Sequence, residues 1–441
     1  MFIALKKMVS INNVERNMMN FNGKIGYACI TLGVPDVGLK SCRLNNASDR
    51  RLKEIIENNI LSLKNAIEYN IENNIKLFRI SSDIIPFASH PKVSIKWCEL
   101  FTDELARVGS IIKESGMRVS MHPGQYTVLN SPDRDVVARA VDDLRYHSYF
   151  LDCLKTDSTN KIILHVGGVY GDKTEAIKRF IDNYDKLDES IKKRLVIEND
   201  ETNYNIQDVL YIADKVKTPA VFDNLHHAIN PPKIEKIERE WIEQCACTWA
   251  NKDGTQKMHY SQQDSKKRNG AHSKTIFLNQ FKAFLDSIDG IKIDIMLEVK
   301  DKNISAVKCI TGVSDNKNIK SLEEEWSRYK YYVLGKYPQG YYEIRELLKD
   351  KQSFNADKFY SIIEKSYLLE SRIPNEVNAL QHAAGYFKSK WTTAQKGRIL
   401  KNIAKYENGQ MKLMSVKNSI YKLALEYNIE YLLNSYYFID L

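Results

Sequence analysis

The sequence predicts an α/β fold: a (β/α)8 TIM barrel followed by a smaller, all-helical C-terminal domain. Short β-rich apolar runs alternate with amphipathic helical segments between residues 24 and 300, eight such runs occur, and strand-like runs disappear after about residue 311. Apolar strands that alternate with helices are typical of a parallel sheet covered on its outer side. Eight is also the number of strands that closes such a sheet into a barrel.

Each predicted strand ends abruptly in polar residues. The helical segments between the strands, such as 50–70 and 99–114, repeat their apolar residues with helical spacing. Active sites of these barrels lie at the C-terminal ends of the strands, so the polar residues that follow the strands are expected to converge on one pocket. The predicted strands are residues 24–32, 75–81, 117–123, 161–168, 194–200, 219–227, 256–263 and 293–300.

The chain of 441 residues is long enough for two domains. We predict an N-terminal extension at 1–20, the barrel domain at 21–310 and a helical C-terminal domain of unknown role at 320–441, with the boundary in the polar sequence SDNKNI at 314–319. The C-terminal region consists of amphipathic helices around an aromatic core. It carries no catalytic group of residues that we can defend from the sequence.

Charge, cysteine spacing and the distribution of apolar residues limit the classes of protein to which this chain can belong. The net charge of +9, from 65 basic and 56 acidic residues, fits a polyanionic partner and fits ordinary solubility equally well. The seven cysteines form no zinc-binding pattern, so we expect reduced thiols. No signal-like apolar run opens the chain, and no window offers the ~20 apolar residues that a membrane span needs. We therefore predict a cytoplasmic protein.

Histidines and carboxylates accumulate at the predicted strand ends. One such histidine alone is more often a core residue with a backbone partner, but the joint pattern favours a metal site. Imidazoles and carboxylates without thiolates suit manganese or zinc, and the candidates exceed the four or so ligands of one ion. We therefore expect two or three ions, bridged by a carboxylate such as Glu198, and such sites serve phosphodiester hydrolysis. Six of the nine histidines follow strands, at positions 90, 122, 165, 226, 259 and 272.

Several long motifs resemble those of the ultraviolet-damage endonucleases, over about residues 24 to 300. The resemblance implies a (β/α)8 barrel related to the metal-dependent apurinic-site endonucleases, with a cluster of up to three divalent ions. The C-terminal HAAGYFK at 382–388 weakly resembles an uncharacterised helical domain fused to such enzymes. The barrel motifs are GYACITLG at 26–33, HPGQYTVLNSP at 122–132, LHVGGVYGDK at 164–173, IENDE at 197–201, DNLHH at 223–227, KMHYS at 257–261 and GAHS at 270–273.

The resemblance implies roles for individual residues. Glu198, Lys257 and Glu298 are the expected catalytic residues, with Lys257 a carboxylated lysine or a lysine that supports the ligands. Manganese is the expected metal, with zinc or cobalt as alternatives. The implied metal ligands are His90, His122, His165, Glu198, Asp223, His226, His259, His272 and Glu298.

A second set of residues is expected to contact damaged double-stranded DNA. Gln125 and Tyr126 follow His122 directly, and the resemblance implies that they probe the duplex at the lesion. Tyr27 matches a tyrosine that faces the DNA. Lys266, Lys267 and Arg268 form a basic loop that is either a solvated face or a phosphate contact.

The expected function is therefore DNA repair by a monomer that hydrolyses the phosphodiester 5′ to ultraviolet photoproducts and leaves a 3′-hydroxyl. Two alternatives stay open. A two-metal sugar isomerase or epimerase uses a similar barrel, but it needs fewer histidines and a closed pocket. A DNA-binding module without catalysis is opposed by the complete ligand set.

Overall fold

The computed structural model describes residues 21–314, 318–352 and 354–439. The predicted N-terminal extension at 1–20 and residues 315–317 of the predicted boundary lie outside the described residues. Every predicted strand is present, in shorter form than its apolar run. The strands are β1 (Ile25–Ala28), β2 (Leu77–Ile80), β3 (Arg118–Met121), β4 (Lys161–His165), β5 (Leu195–Glu198), β6 (Ala220–Asp223), β7 (Lys257–Tyr260) and β8 (Asp294–Leu297).

The eight strands form one closed parallel barrel. They pair in sequence order, and β8 pairs with β1 to complete the ring. The register sets His165 opposite Glu198 and Asp223 opposite His259. The predicted (β/α)8 barrel is therefore confirmed, and two pairs of candidate ligands lie at matching heights around it.

Helices follow the strands and continue through the C-terminal region. Polar side chains start several of them: Asp133 accepts from the backbone of α4, and Asp172 from that of α5. In the described part of the chain, none of these helices has the length and apolar character required to cross a membrane. The α-helices are α1 (Asp49–Glu72), α2 (Trp97–Leu100), α3 (Thr102–Glu114), α4 (Arg134–Cys153), α5 (Lys173–Tyr184), α6 (Glu189–Lys192), α7 (Ile206–Val216), α8 (Asn224–Ile229), α9 (Glu238–Ala246), α10 (Leu278–Ser287), α11 (Asn303–Val313), α12 (Ile319–Lys336), α13 (Pro338–Leu347), α14 (Ala356–Leu368), α15 (Ile373–Ala384), α16 (Thr393–Glu407), α17 (Leu413–Glu426) and α18 (Glu430–Leu433), with 3-10 turns at Leu44–Asn46, Ser82–Ile84, Asn251–Asp253, Gly385–Phe387 and Tyr436–Phe438.

The floor of the barrel, at the N-terminal ends of the strands, is charged. Arg118 donates to Asp294 Oδ2 at 2.9 Å, and Lys161 donates to Asp253 Oδ1 at 2.6 Å. Lys257 Nζ is buried beside them and has no hydrogen-bond partner in the described part of the chain. The expectation of wholly apolar strand interiors is therefore wrong at this level, because charged side chains at the strand starts point inward and pair with each other.

The C-terminal helices pack directly on the barrel. Leu322, Tyr329 and Tyr360 belong to the same hydrophobic core as the barrel helices, while a second apolar cluster lies within the C-terminal region itself. Glu364 of α14 accepts from the backbone nitrogen of Leu278 at 2.8 Å, at the start of α10. The division into domains at 21–310 and 320–441 stays a prediction.

The end of the C-terminal region reaches the face of the barrel at the C-terminal ends of the strands. A Cβ added to Gly33, in the loop after β1, would lie 2.4 Å from Ile439 Cδ1. Gly33 also has a φ of +70°, so both its backbone and its contact with Ile439 favour glycine. The same loop is held by Asn303, whose side chain bonds to both backbone groups of Leu32. The C-terminal region therefore flanks the rim on the β1 side.

Two of the cysteines are joined. Cys98 of α2 and Cys153 at the end of α4 form a disulfide, with Cα atoms 6.3 Å apart. The expectation that all cysteines are reduced is therefore wrong for this pair. The cause is a tertiary contact between segments 55 residues apart, which local sequence spacing does not reveal.

Candidate metal centre and groove

Glu198 is the centre of the candidate site. It ends β5, is 1% exposed, and each of its two oxygens faces a different group of residues. Oε1 lies 2.5 Å from His259 Nδ1. Oε2 lies 3.3 Å from His122 Nε2 and 3.7 Å from His165 Nε2. One carboxylate at the end of β5 thus joins side chains from β4, β7 and the loop after β3.

Glu298 forms a second acidic centre beside the first. It directly follows β8, and its Oε1 lies 3.4 Å from His259 Nδ1. Its Oε2 lies 3.9 Å from His272 Nε2, at the end of the loop after β7. His259 therefore stands between the two glutamates.

Asp223 and His226 complete the cluster on the β6 side. Asp223 ends β6 and accepts from the backbone nitrogen of His226 at 2.8 Å, so it also caps α8. His226 Nδ1 then lies 3.8 Å from Asp223 Oδ1 and 3.9 Å from Glu198 Oε1. A short helix directly after the strand thus turns the histidine back over the barrel.

Burial and neighbouring charges set the protonation of these groups. Burial works to raise the pKa of Glu198, but His259 and His165 outweigh it and hold that pKa well below its usual range. Burial lowers the pKa of His259 to about 4 and raises that of Asp223 to about 7. Burial opposes the charged form of His226, but Asp223 and Glu198 raise its pKa to about 9. Glu198 is therefore ionised and His259 neutral near pH 7, the forms in which these groups bind metals.

The donor set fits divalent cations. His122, His165 and Glu198 bring ligand atoms within 4.8 Å of one another, and so do Glu198, Asp223 and His259. His165 Nδ1 and Asp223 Oδ2 are buried without a hydrogen-bond partner among the described residues. Unpartnered buried polar atoms are costly, and a bound ion would compensate some of them. Nitrogen and oxygen donors without thiolates suit manganese, zinc or cobalt.

Three other polar residues of the barrel lie at different distances from this cluster. His90 lines the groove described below, but its contacts are with Lys92 and Phe87, not with the ligands gathered around Glu198. His227 packs between Phe222 and Trp241 on the outer side of the barrel. Lys257 points into the barrel one step below His259. Burial, with Arg118 and Arg79 nearby, holds the pKa of Lys257 well below its usual range.

Arg79 is a site residue that the sequence analysis missed. It lies on β2, is buried, and its Nη2 is 2.6 Å from Glu298 Oε1 and 2.8 Å from His259 Nε2. Burial works to raise the pKa of Glu298, but the charge of Arg79 outweighs it and holds that pKa below its usual range. The available signal was an arginine inside the apolar run IKLFRIS at 75–81.

A groove of about 1000 Å³ opens beside the cluster and includes His165 in its lining. Gln125 and Tyr126 stand exposed at its edge, and the Tyr126 side chain is 72% exposed. The turn that presents them is fixed, because Thr127 N donates to Gly124 O at 2.9 Å and its hydroxyl donates to Asp143 at 2.6 Å. A rigid turn thus presents an amide and an aromatic ring next to the candidate metal ligands.

The other expected DNA contacts divide into two cases. Lys266, Lys267 and Arg268 are exposed in the loop between β7 and His272, as a phosphate contact requires. Tyr27 is not at the rim: it is fully buried, its ring is tilted against that of Phe78 with the ring centroids 5.1 Å apart, and its hydroxyl bonds to Thr31 and Asn70. The expectation for Tyr27 is corrected for a geometric reason. Strand side chains alternate, and Tyr27 is on the side of β1 that faces helix α1.

Comparisons with known proteins agree with this geometry. The family model for UV-endonuclease UvdE matches residues 23–330, and a model for a protein family of unknown function, DUF1722, matches 330–440. A UV DNA damage endonuclease of Clostridium perfringens is 40% identical over 408 residues, which cover 90% of this chain and 96% of that protein. One from Bacillus cereus (strain Q1) is 35% identical and covers 62% of this chain and 86% of that protein. The crystal structure of SacUVDE is 37% identical, with a TM-score of 0.61, over 65% of this chain and 96% of that chain.

Proposed function

Because the chain belongs to the UV-endonuclease UvdE family, we propose that it hydrolyses the DNA phosphodiester 5′ to ultraviolet photoproducts such as pyrimidine dimers and leaves a 3′-hydroxyl. The observation that carries the proposal is the cluster around Glu198 at the side of an open groove, next to the exposed pair Gln125 and Tyr126. An open groove accepts a polymer strand, whereas a small sugar needs an enclosed pocket.

The proposed cofactor is a cluster of two or three divalent ions, with manganese first and zinc or cobalt as alternatives. Bound there, such ions make water a nucleophile at neutral pH and stabilise the charge on phosphoryl oxygens. Glu198 holds the cluster together because its two oxygens face separate groups of histidines. The proposed ligands are His90, His122, His165, Glu198, Asp223, His226, His259, His272 and Glu298.

The remaining polar groups orient these ligands. Arg79 fixes the ring of His259 and one oxygen of Glu298, so both keep their direction while a phosphate binds. Lys257 stays a proposed catalytic residue, either carboxylated or supporting the ligands from below. Its support is the buried Nζ without a hydrogen-bond partner among the described residues, directly beneath His259.

The groove and its rim supply recognition. A ring such as that of Tyr126 can stack in the space that an extruded base leaves, and extrusion costs least for a damaged base. The Gln125 amide offers a donor and an acceptor to the unpaired base edges. Lys266, Lys267 and Arg268 are proposed to hold the backbone, since lysine and arginine make most phosphate contacts.

Replacing Tyr126 by alanine should weaken binding to dimer-containing DNA on the order of tenfold or more, because a base stacked on an aromatic ring is worth about 1–3 kcal/mol. Binding to undamaged duplex and thermal stability should not change, since this side chain is 72% exposed. Fluorescence anisotropy with matched damaged and undamaged duplexes measures the difference. Tyr211→Ala, which removes another exposed tyrosine on α7, is the control. Equal damaged-DNA affinity for wild type and Tyr126→Ala would contradict the assigned role.

The proposed function is tested on one oligonucleotide duplex that carries one defined pyrimidine dimer. With manganese, we expect a single cut 5′ to the dimer, and a polymerase should extend the new 3′ end. The undamaged duplex should stay intact, and chelation of the metal should stop cleavage until manganese is restored. Absence of cutting in the presence of manganese, zinc or cobalt would refute the proposal. A cytoplasmic monomer stays our prediction for the state in which the protein acts.

A further inference from the structure

The positive charge of the chain is concentrated in one part of the C-terminal region. Residues 385–425 contain nine lysine and arginine residues against the single acidic residue Glu407, a net charge of +8. The whole chain carries +9, so the other 400 residues together carry about +1. An excess of this kind is the electrostatic signature of a surface that meets a polyanion.

Helix α16 displays part of this charge as a stripe. Arg398, Lys401 and Lys405 are spaced at i, i+3 and i+7, which places them on one face of the helix. The opposite face, with Ile399 and Ile403, is buried in the C-terminal apolar cluster. The basic stripe therefore points away from the protein core, and Arg398 and Lys401 are exposed.

The stripe lacks the ion pairs that other surface helices of this protein form. Elsewhere, exposed cations pair with acids one turn away, as Arg145 does with Asp142 and Lys349 with Glu346. In the part of the chain that the structure describes, none of Arg398, Lys401 and Lys405 makes a salt bridge. Three neighbouring cations without acidic partners repel one another, and an external polyanion relieves that repulsion.

The C-terminal region also adjoins the basic rim of the barrel. Ile439 sits against Gly33 of the loop after β1. Lys336 of α12 lies near the acidic Glu376 and also near Lys274, in the loop after β7, and the charges of the two lysines repel each other. Lys267 and Lys300 on the rim repel each other in the same way. Cations thus continue from the rim of the groove onto the C-terminal helices.

We propose that the face formed by Arg398, Lys401 and Lys405 of α16 binds the phosphate backbone of duplex DNA that flanks the cleavage site. The inference rests on the proposed function for the choice of DNA as the polyanion. Backbone contacts of this kind add affinity without sequence preference, as an enzyme that searches for rare lesions requires. An acidic protein is the competing partner, and the experiment distinguishes it.

The test compares duplexes of two lengths. A duplex of about 12 base pairs, roughly 40 Å long, covers the groove alone, and one of about 40 pairs extends well beyond it. The triple variant R398E/K401E/K405E should bind the long duplex on the order of tenfold more weakly, with a salt slope smaller by about 3. Affinity for the short duplex should be unchanged. The neutral variant R398Q/K401Q/K405Q should show the same direction with a smaller loss, and thermal unfolding reports whether either variant is folded.

The control K113E/K186E/K215E makes the same change in charge at or just past the C-terminal ends of α3, α5 and α7, on the side of the barrel opposite the rim. It should bind both duplexes nearly as wild type does. The inference is overturned if the α16 variants bind long duplex like wild type, as an acidic protein partner would require, or if the control loses as much affinity. Undamaged duplex serves for this binding assay, so failure of the proposed cleavage and failure of this inference are seen separately.

Discussion

Replacement of Glu198 by glutamine should lower nicking of dimer-containing DNA by roughly 10³-fold, equivalent to about 4 kcal/mol of transition-state stabilisation. The reason is the position of this carboxylate between two groups of ligands, His259 on one side and His122 with His165 on the other. Glutamine keeps the shape of the side chain but removes the negative charge and one acceptor oxygen. The charge balance of the site and one of the two oxygens that would hold an ion are then lost.

Two measurements check this result. Nicking rates are measured at fixed manganese concentration, and bound metal per protein is measured by elemental analysis, where we expect a loss of at least one ion. Glu243→Gln alters an exposed glutamate on α9 whose one salt bridge among the described residues is with Arg239, and it should retain wild-type values in both assays. If Glu198→Gln keeps both its metal and its nicking rate, the site is not organised around this residue.

Replacement of Asp294 by asparagine should lower the free energy of unfolding by about 3–5 kcal/mol, the usual cost of leaving one member of a buried ion pair without its partner. Asp294 bonds to Arg118 at 2.9 Å, with the side chains 3% and 5% exposed. Lys161 and Lys257 lie in the same charged floor, so among the described residues of this floor the variant leaves Arg118 and the two lysines with one acid, Asp253. Because these side chains are buried in the floor of the barrel, solvent cannot compensate their positive charge.

Chemical denaturation at constant pH measures this loss. Asp142→Asn breaks the exposed pair with Arg145, whose side chains are 55% and 53% exposed, and should cost at most about 1 kcal/mol. If Asp294→Asn lowered the free energy of unfolding no more than Asp142→Asn does, the charged floor would not be a stabilising network. Because Asp294 begins β8 and Glu298 follows its end, a moderate loss of metal affinity is also expected from Asp294→Asn.

The barrel and most of its site could be predicted because both depend on local pattern. Each strand is a short apolar run. In a (β/α)8 barrel, the residues at the C-terminal ends of all strands lie on the same face. His165, Glu198, Asp223 and His259 are at strand ends, so the rule placed them correctly without any knowledge of their contacts. The assignment of particular residues as ligands depends on the family resemblance and stays a proposal.

Residues whose partners are distant in sequence escaped prediction. Arg79 contacts His259 and Glu298, which are 180 and 219 residues away in the sequence. A local sequence pattern does not predict contacts over such distances. The disulfide of Cys98 and Cys153 could not be predicted for the same reason, because the two cysteines are 55 residues apart. Tyr27 is a different case. Side chains alternate along β1, so that of Tyr27 points outward to helix α1, whereas the resemblance to a DNA-facing tyrosine implies a position at the rim.

Closure of the barrel has a consequence for how the protein folds. Lys24 N donates to Asp294 Oδ1 across 270 residues, and β1 has its second neighbour only when β8 is in place. Pairing across such a separation is slow, since the entropy of closing the loop must be overcome first. Until β8 is in place, the sheet therefore has one open edge at β1 and another at β7. Glu298 directly follows β8, so it reaches the other candidate ligands only when these edges close, and the proposed ions and the closure of the barrel would then stabilise each other.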